Sequence, residues 1–142
     1  MDKQYEIKFI ARKDILTIIP YLKMLDSHID KVTLKERLNE MLNYGYQCAG
    51  LYFQGMLIGV SGVWTLYKYY IGKHLEVDNV IIHPDYRSRG LGKKLMDWIM
   101  DYGKSIGCVA TELNSYITND RGNQFWEEYG CEKLGYHFRK TY

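Results

Sequence analysis

A chain of 142 residues can bury one sizeable hydrophobic core but not two ordinary ones, so a single domain spanning 1–142 is expected. With 46% hydrophobic and 25% charged residues it is neither a disordered nor a fibrous protein. The formal charge of +2 gives no support to a protein that coats nucleic acid through bulk charge, and only local clustering of basic residues matters.

In chain order, "YEIKFIA" alternates as a strand does, and "KDILTIIPYLKML" places apolar residues at helical spacing, with Asp14 as N-cap and a kink at Pro20. "TLKERLNEMLNYG" predicts a second helix, opened by a Thr33/Glu36 capping box and closed by Gly45. "YQCAGLYF" and "MLIGVSGVWTLY" predict a hairpin turning at "QG", and "HLEVDNVII" a further strand. "LGKKLMDWIMDYGKSIG" is the clearest helix, with Leu91, Leu95, Trp98, Ile99 and Tyr102 on one face and Gly107 at its end. "CVATELN" reads as a strand, "NQFWEEYG" as a short helix and "CEKLGYHFRK" as the last strand region. The order β-α-α-β-β-β-α-β-α-β predicts an α/β domain with a mixed sheet.

Cys48, Cys108 and Cys131 are far apart with no CxxC pair, which favours reduced thiols over a disulfide framework or a zinc site. The start "MDKQYEIKF" lacks the apolar core of a signal peptide, and no run approaches the roughly 18 apolar residues of a membrane span, so a cytoplasmic protein is expected. Several of the 14 tyrosines fall in "LYKYYIG", where they line either a half-exposed sheet edge or a substrate cleft.

The stretch "HPDYRSRGLGKKL" raises the functional question. A strand that passes directly into a helix leaves backbone N–H groups without intrahelical partners, at the end where the helix dipole is positive, and such an end attracts phosphate. Gly90 and Gly92 remove the Cβ atoms that would hold a phosphate away, while Arg87, Arg89, Lys93 and Lys94 add charge. "GLGKKL" has neither the spacing nor the hydroxyl of a Walker A loop. A dinucleotide fingerprint fails too, because Leu95 stands at its third glycine and three strands come first. A pyrophosphate-binding loop and a basic surface turn remain.

Two motifs then resemble those of the GNAT superfamily of N-acetyltransferases. Arg87, Gly90 and Gly92 fill its R/Q-x-x-G-x-G/A signature after a strand. "NDRGNQFWEEYGC" is similar to its second signature, with Asn119, Phe125 and Gly130 matching and Gly122 at the small-residue position. The resemblance implies an acetyl-CoA-dependent enzyme in which residues 87–93 (Arg87, Ser88, Arg89, Gly90, Leu91, Gly92, Lys93) hold the pyrophosphate through backbone amides. It also implies that Val80, Ile81 and Ile82 pair with the pantetheine arm, which lies as a pseudo-strand where two parallel strands splay apart. Asn119 would hydrogen-bond the same arm or simply cap its helix.

Transfer by direct attack needs a base for the amine, and Glu76 and Asp78 share one strand face by the period of two, with Asp78 favoured. Either could instead solubilise the strand end. An N–H near Ile82 would polarise the thioester carbonyl. The family's proton-donating tyrosine is replaced by Trp126, leaving Tyr129 or Tyr116 as substitutes, or solvent, and Cys131 stands in place of the closing phenylalanine. The expected activity is acetyl transfer to a primary amine of a small molecule or peptide. A non-catalytic acyl-CoA-binding or sensing domain is the alternative. Tyr67, Tyr69, Tyr70, His28 and Asp30 are candidate acceptor contacts suited to a cation. No metal, nucleic acid or membrane is expected as a partner, and a homodimer is expected from family habit alone.

Overall fold

The computed structural model describes residues 4–142; Met1 to Lys3, inside the expected domain range and at the head of the segment judged to lack a signal peptide, lie outside them. The described residues fall into two compact units, one running to Glu112 and the other Leu113–Tyr142.

The sheet consists of β1 (Tyr5–Phe9), β2 (Gln47–Phe53), β3 (Met56–Lys68), β4 (Gly72–Ile82) and β5 (Ala110–Leu113), in that spatial order, and all of it but Leu113 belongs to the first unit. β1 to β4 pair antiparallel in succession. A helix, α3 (Leu91–Ser105), then crosses over to β5, the connection by which parallel neighbours are joined, so the sheet is mixed. The expected α/β class holds.

Each face of the sheet is covered, because alternate residues of its inner strands are apolar on both sides. α1 (Ile19–Leu25) and α2 (Lys31–Asn43) cover one face, where Ile18, Tyr21, Leu38, Tyr46, Cys48, Val60 and Ile81 form a buried cluster. α3 covers the other, with Leu95, Met96 and Ile99 fully buried. Gly103 lets that helix sit on β4, since a Cβ there would come within 2.9 Å of Leu75.

Several boundaries differ from expectation for local reasons. Asp14 does not cap the first helix; it lies inside a 3-10 turn, Arg12–Ile18, capped at Ala11, and Pro20 stands in the first turn of α1 rather than at a kink. Proline has no N–H to lose there, which suits a change from 3-10 to α winding. α2 begins at Lys31 because the Asp30 carboxylate accepts the Thr33 N–H at 2.7 Å, so the cap falls three residues before Thr33. Cys108 precedes β5 instead of lying within it.

β4 carries the irregularity that shapes the unit. Its register with β3 passes from Gly62↔Asp78 to Val60↔Ile81, so Asn79 and Val80 together oppose Ser61 in a β-bulge. Asn79 takes φ 39°, a left-handed conformation that asparagine tolerates better than branched residues. Its Oδ1 accepts the buried Tyr46 hydroxyl at 3.0 Å. Gly62 makes room for this pair: a Cβ there would stand 2.7 Å from the Tyr46 ring and would collide with Asn79 Oδ1.

The second unit contains α4 (Asp120–Tyr129), which ends at Gly130 with φ 100°. Residues 131–142, expected to hold a last strand, carry no helix or strand. The alternation that suggested one is present in Leu134, Tyr136 and Phe138, but all three are exposed, and alternation without a paired neighbour does not make a strand.

Gly62→Ala is expected to lower stability by about 1–3 kcal/mol through overpacking against Tyr46 and Asn79. Urea denaturation should show the midpoint falling with an unchanged slope.

Candidate active site

The bulge and the short length of β5 together leave part of β4 without a strand neighbour. Val109 donates its N–H to Lys73 O at 3.0 Å, and a parallel count from that bond carries the four residues of β5 along Leu75 to Asp78. Beyond Asp78, no strand among the described residues lies beside the β5-side edge of β4. His83 N–H bonds to Ile58 O at 2.7 Å, so in the antiparallel alternation Ile82 turns its N–H and C=O away from β3, toward that open edge, while Ile81 turns its own to Val60. Of the three residues expected to meet a peptide-like arm, Ile82 therefore presents backbone groups at the edge and Ile81 does not. The Ile82 carbonyl is already taken, since it accepts Arg87 Nε at 3.0 Å, and its N–H is the group left facing outward.

β4 leads through a short 3-10 turn, Pro84–Tyr86, into the arginine-glycine loop. Ser88 (φ 63°) and Gly90 (φ 73°) are both left-handed, and Gly90 is the N-cap of α3. The first helical bond is Lys94 N–H to Gly90 O at 3.2 Å, so the amides of Leu91, Gly92 and Lys93 precede the ladder. Nothing lies within 4 Å of where a Gly90 Cβ would be, and the loop is open on that side.

The four basic side chains do less here than their charge suggested. Arg87 is folded back on Ile82, Arg89 Nη2 donates to Asp85 O at 3.3 Å and its guanidinium lies over the Tyr86 ring, and Lys93 pairs with Asp97 at 2.8 Å. Lys94 Nζ sits 5.8 Å from the Tyr5 ring centroid. The arginines brace the loop, and the amides are what it offers to an anion.

Glu76 and Asp78 pair in register with Trp64 and Gly62, so all four share the face covered by α1 and α2, as the period of two predicts. Asp78 is exposed at the last regular position before the bulge, and its Oδ1 accepts the Asn79 N–H at 2.8 Å. Glu76 is half-buried. Tyr70, one of the expected acceptor contacts, donates its hydroxyl to Glu112 at 2.7 Å, and that contact raises its pKa. Asp30 is occupied as the α2 cap, and Tyr67 and Tyr69 are exposed at the β3–β4 turn.

Asn119 and Tyr129 belong to the second unit. Asn119 caps α4 by accepting the Gly122 N–H at 3.1 Å, and a side chain at 122 would collide with that cap, which is why a small residue stands there. Tyr129 stacks on Phe125 with centroids 6.0 Å apart, and Trp126 meets Phe125 edge-on at 4.8 Å. Cys48 is buried and its thiol is pushed up to about 12 by desolvation, so it stays protonated at neutral pH and is no nucleophile. Among the described residues no group of three or more His, Cys, Asp or Glu side chains could hold a metal.

Residues 21–131 match the model of the acetyltransferase (GNAT) family. The chain belongs to that family. This GNAT protein is 24% identical over 123 residues to an uncharacterised N-acetyltransferase, YhdJ, of Bacillus subtilis (strain 168), a match covering 85% of this chain and 87% of the relative. It is also 24% identical over 137 residues to glucosamine 6-phosphate N-acetyltransferase of Arabidopsis thaliana, covering 92% and 89%. Its fold matches that of an aminoglycoside N-acetyltransferase solved in complex with CoA, with TM-score 0.83 at 16% identity over 99% of this chain and 97% of the other. GNAT acetyltransferases use acetyl-CoA, and no helix among the described residues of this one is long and apolar enough to cross a membrane.

Gly90→Ala should leave the loop free of clashes yet lower stability by roughly 1–2 kcal/mol, because the added Cβ must be held in the left-handed region. Thermal unfolding of the variant beside the parent measures it.

Proposed function

We propose that the chain transfers an acetyl group from acetyl-CoA to a primary amine, with both units serving one catalytic domain, as the family match running across their division suggests. The observation that carries this reading is the continuity of β4 and α3: one stretch of chain presents an outward N–H at Ile82 and, a few residues on, the unladdered amides of a helix start. A peptide-like arm ending in a pyrophosphate needs those two kinds of donor in that order.

When bound, acetyl-CoA supplies an acyl carbon already activated as a thioester, which the amine attacks to form an amide and release the thiol. The chain's residues do the rest. The amides of Leu91, Gly92 and Lys93, reached past the open side of Gly90, hold the pyrophosphate with the α3 dipole behind them. The N–H of Ile82 holds the acyl end and polarises its carbonyl. Asp78, exposed beside the open edge, takes the proton that the acceptor nitrogen must lose for its lone pair to attack, with Glu76 two residues away as the second carboxylate. Asn119 steadies the arm with whatever its capping bond leaves free, and Tyr129 is the nearest phenol in sequence to the position of Trp126, as donor to the leaving thiolate. The reaction belongs in the cytoplasm, where the three free cysteines stay reduced.

Trp126 at the usual tyrosine position favours a second reading, a domain that binds acyl-CoA without turning it over. Acetyl-CoA incubated with a panel of amines, with free thiol and product mass recorded, separates the two. Thiol release with an acetylated product is expected, and tight CoA binding with no product from any amine would select the sensor.

Gly92 is the cleaner position for probing the loop, because it lies within α3 and has no positive φ to confound the result. Gly92→Val should weaken acetyl-CoA binding by about tenfold to a hundredfold, the loss of one or more charge-assisted hydrogen bonds. A folded variant that binds as the parent does would reduce the loop to a surface turn. Asp78→Asn should leave acetyl-CoA affinity intact and lower turnover by roughly 10²–10⁴-fold, since an amide cannot accept the proton.

A further inference from the structure

β4 buries a histidine completely, in a strand whose other buried positions are apolar, and the reaction proposed above makes no use of it. Opposite His74 on β3 stands Leu66, whose side chain offers no polar atom. The ring finds its partners in the turn before β4 and on β5 instead. Nδ1 is 2.9 Å from Gly72 O, and Nε2 is 3.4 Å from Glu112 Oε1, the carboxylate oxygen that also accepts the Tyr70 hydroxyl at 2.7 Å.

Both partners are acceptors, and this decides the proton count. A neutral imidazole has one N–H and one bare nitrogen. With the proton on Nδ1, the Gly72 carbonyl is satisfied and a bare Nε2 faces the carboxylate; with it on Nε2, a bare Nδ1 faces the carbonyl at closer range. Either tautomer sets lone pair against lone pair in a place closed to solvent, and Nε2 is a buried atom with no hydrogen bond among the described residues. A second ring proton removes the conflict, because each nitrogen is then a donor. A fully buried cation is costly alone, and here the half-buried Glu112 carboxylate stands at ion-pair distance to offset it.

The other titratable groups around the ring are Tyr70, whose ring centroid is 6.5 Å away, and Glu76, two residues along on the same face of β4. Neither brings a competing positive charge. Lys73, the preceding residue, has its ammonium on Ile106 O at the end of α3.

We propose that His74 and Glu112 hold one proton between them, and that this charged contact clasps β5 to β4 at the closed end of the edge along which the acyl arm would lie. His74 is thus a positioning residue, touching no substrate and acting through the strand beside it. Only the consequence for the arm rests on the acetyltransferase reading; the proton and the clasp do not. An unfolded histidine gives up its second proton near pH 6.5. The clasp therefore stabilises in full below about that pH, until Glu112 itself takes a proton, and is lost as the pH rises through the value at which the folded pair lets go.

Nitrogen-15 NMR of the full chain reads the ring and the strand separately. At about pH 7.5, where a free histidine is mostly neutral, both ring nitrogens of His74 are expected to carry hydrogen. Glu112→Gln is the control, because its amide N–H can donate to a bare Nε2 while its oxygen still accepts Tyr70, and the ring should then be singly protonated at that pH. Hydrogen exchange at the Val109 amide, bonded to Lys73 O beside the pair, reports the clasp when referred to the Ile10 amide, bonded to Cys48 O near the opposite edge of the sheet. Relative protection of Val109 is expected to fall about tenfold as the parent ring loses its proton, and to stay level over the same range in Glu112→Gln. A parent ring with one bare nitrogen at about pH 7.5, or a doubly protonated ring that survives Glu112→Gln, overturns the shared proton. Protection that does not change while the ring titrates overturns the clasp. Should Glu112→Gln fail to fold, the parent titration alone decides both. Acetyl-CoA affinity that ignores a titration in which the clasp opens counts against the placement of the arm and leaves the clasp standing.

Discussion

The bond between the Tyr46 hydroxyl and Asn79 Oδ1 is small, yet the site depends on what it holds in place. Without the extra residue at the bulge, β4 would continue its alternation and could pair along its whole length on both sides. With it, the strand bends after Asp78 and its outer edge comes free where the loop into α3 begins. Gly62, Tyr46 and Asn79 fit one another closely enough that none can change size alone. A buried phenol whose pKa is driven well up by desolvation is also a dependable donor, since it keeps its proton at any physiological pH.

Charge and geometry divide the work in the loop differently from what the residues suggest. Four basic side chains before and within the first turn of α3 look like an electrostatic clamp. In the structure they are spent on the loop's own carbonyls, rings and an i,i+4 carboxylate, and the unpartnered donors are backbone N–H groups. A loop braced this way is held by its own side chains, while the amides of Leu91, Gly92 and Lys93 stand ahead of the helical ladder.

Much of this was legible in the sequence. Hydrophobic periodicity located every helix and the first five strands, the glycine spacing marked the turn at the start of α3, and the period of two put Glu76 and Asp78 on one face. What escaped were features settled by partners distant in sequence. The α2 cap moved to Asp30 because its carboxylate takes the Thr33 N–H, and local pattern does not rank Asp30 above Thr33 as a cap. The last strand was inferred from alternation alone, which records what a segment can do and not whether a neighbour is there. The bulge left one trace, an asparagine inside an apolar strand opposite a glycine, which pairing reveals and the linear sequence does not.

β4 and β5 are tied where they begin. Besides the Val109–Lys73 bond, Glu112 accepts from Tyr70 at 2.7 Å and lies 3.4 Å from Nε2 of the fully buried His74, too poorly aligned there for a hydrogen bond, while His74 Nδ1 is fixed 2.9 Å from Gly72 O. A slot closed at one end is a depth gauge. Any extended chain laid along the free edge of β4 from the α3 side runs out of available amides where the β5 ladder starts, so its tip stops at a height set by how many residues β5 contributes. Lengthening β5 by a pair of residues would make the gauge shallower without touching a single group that meets the ligand, and reach along the sheet can thus be tuned separately from the chemistry at its end.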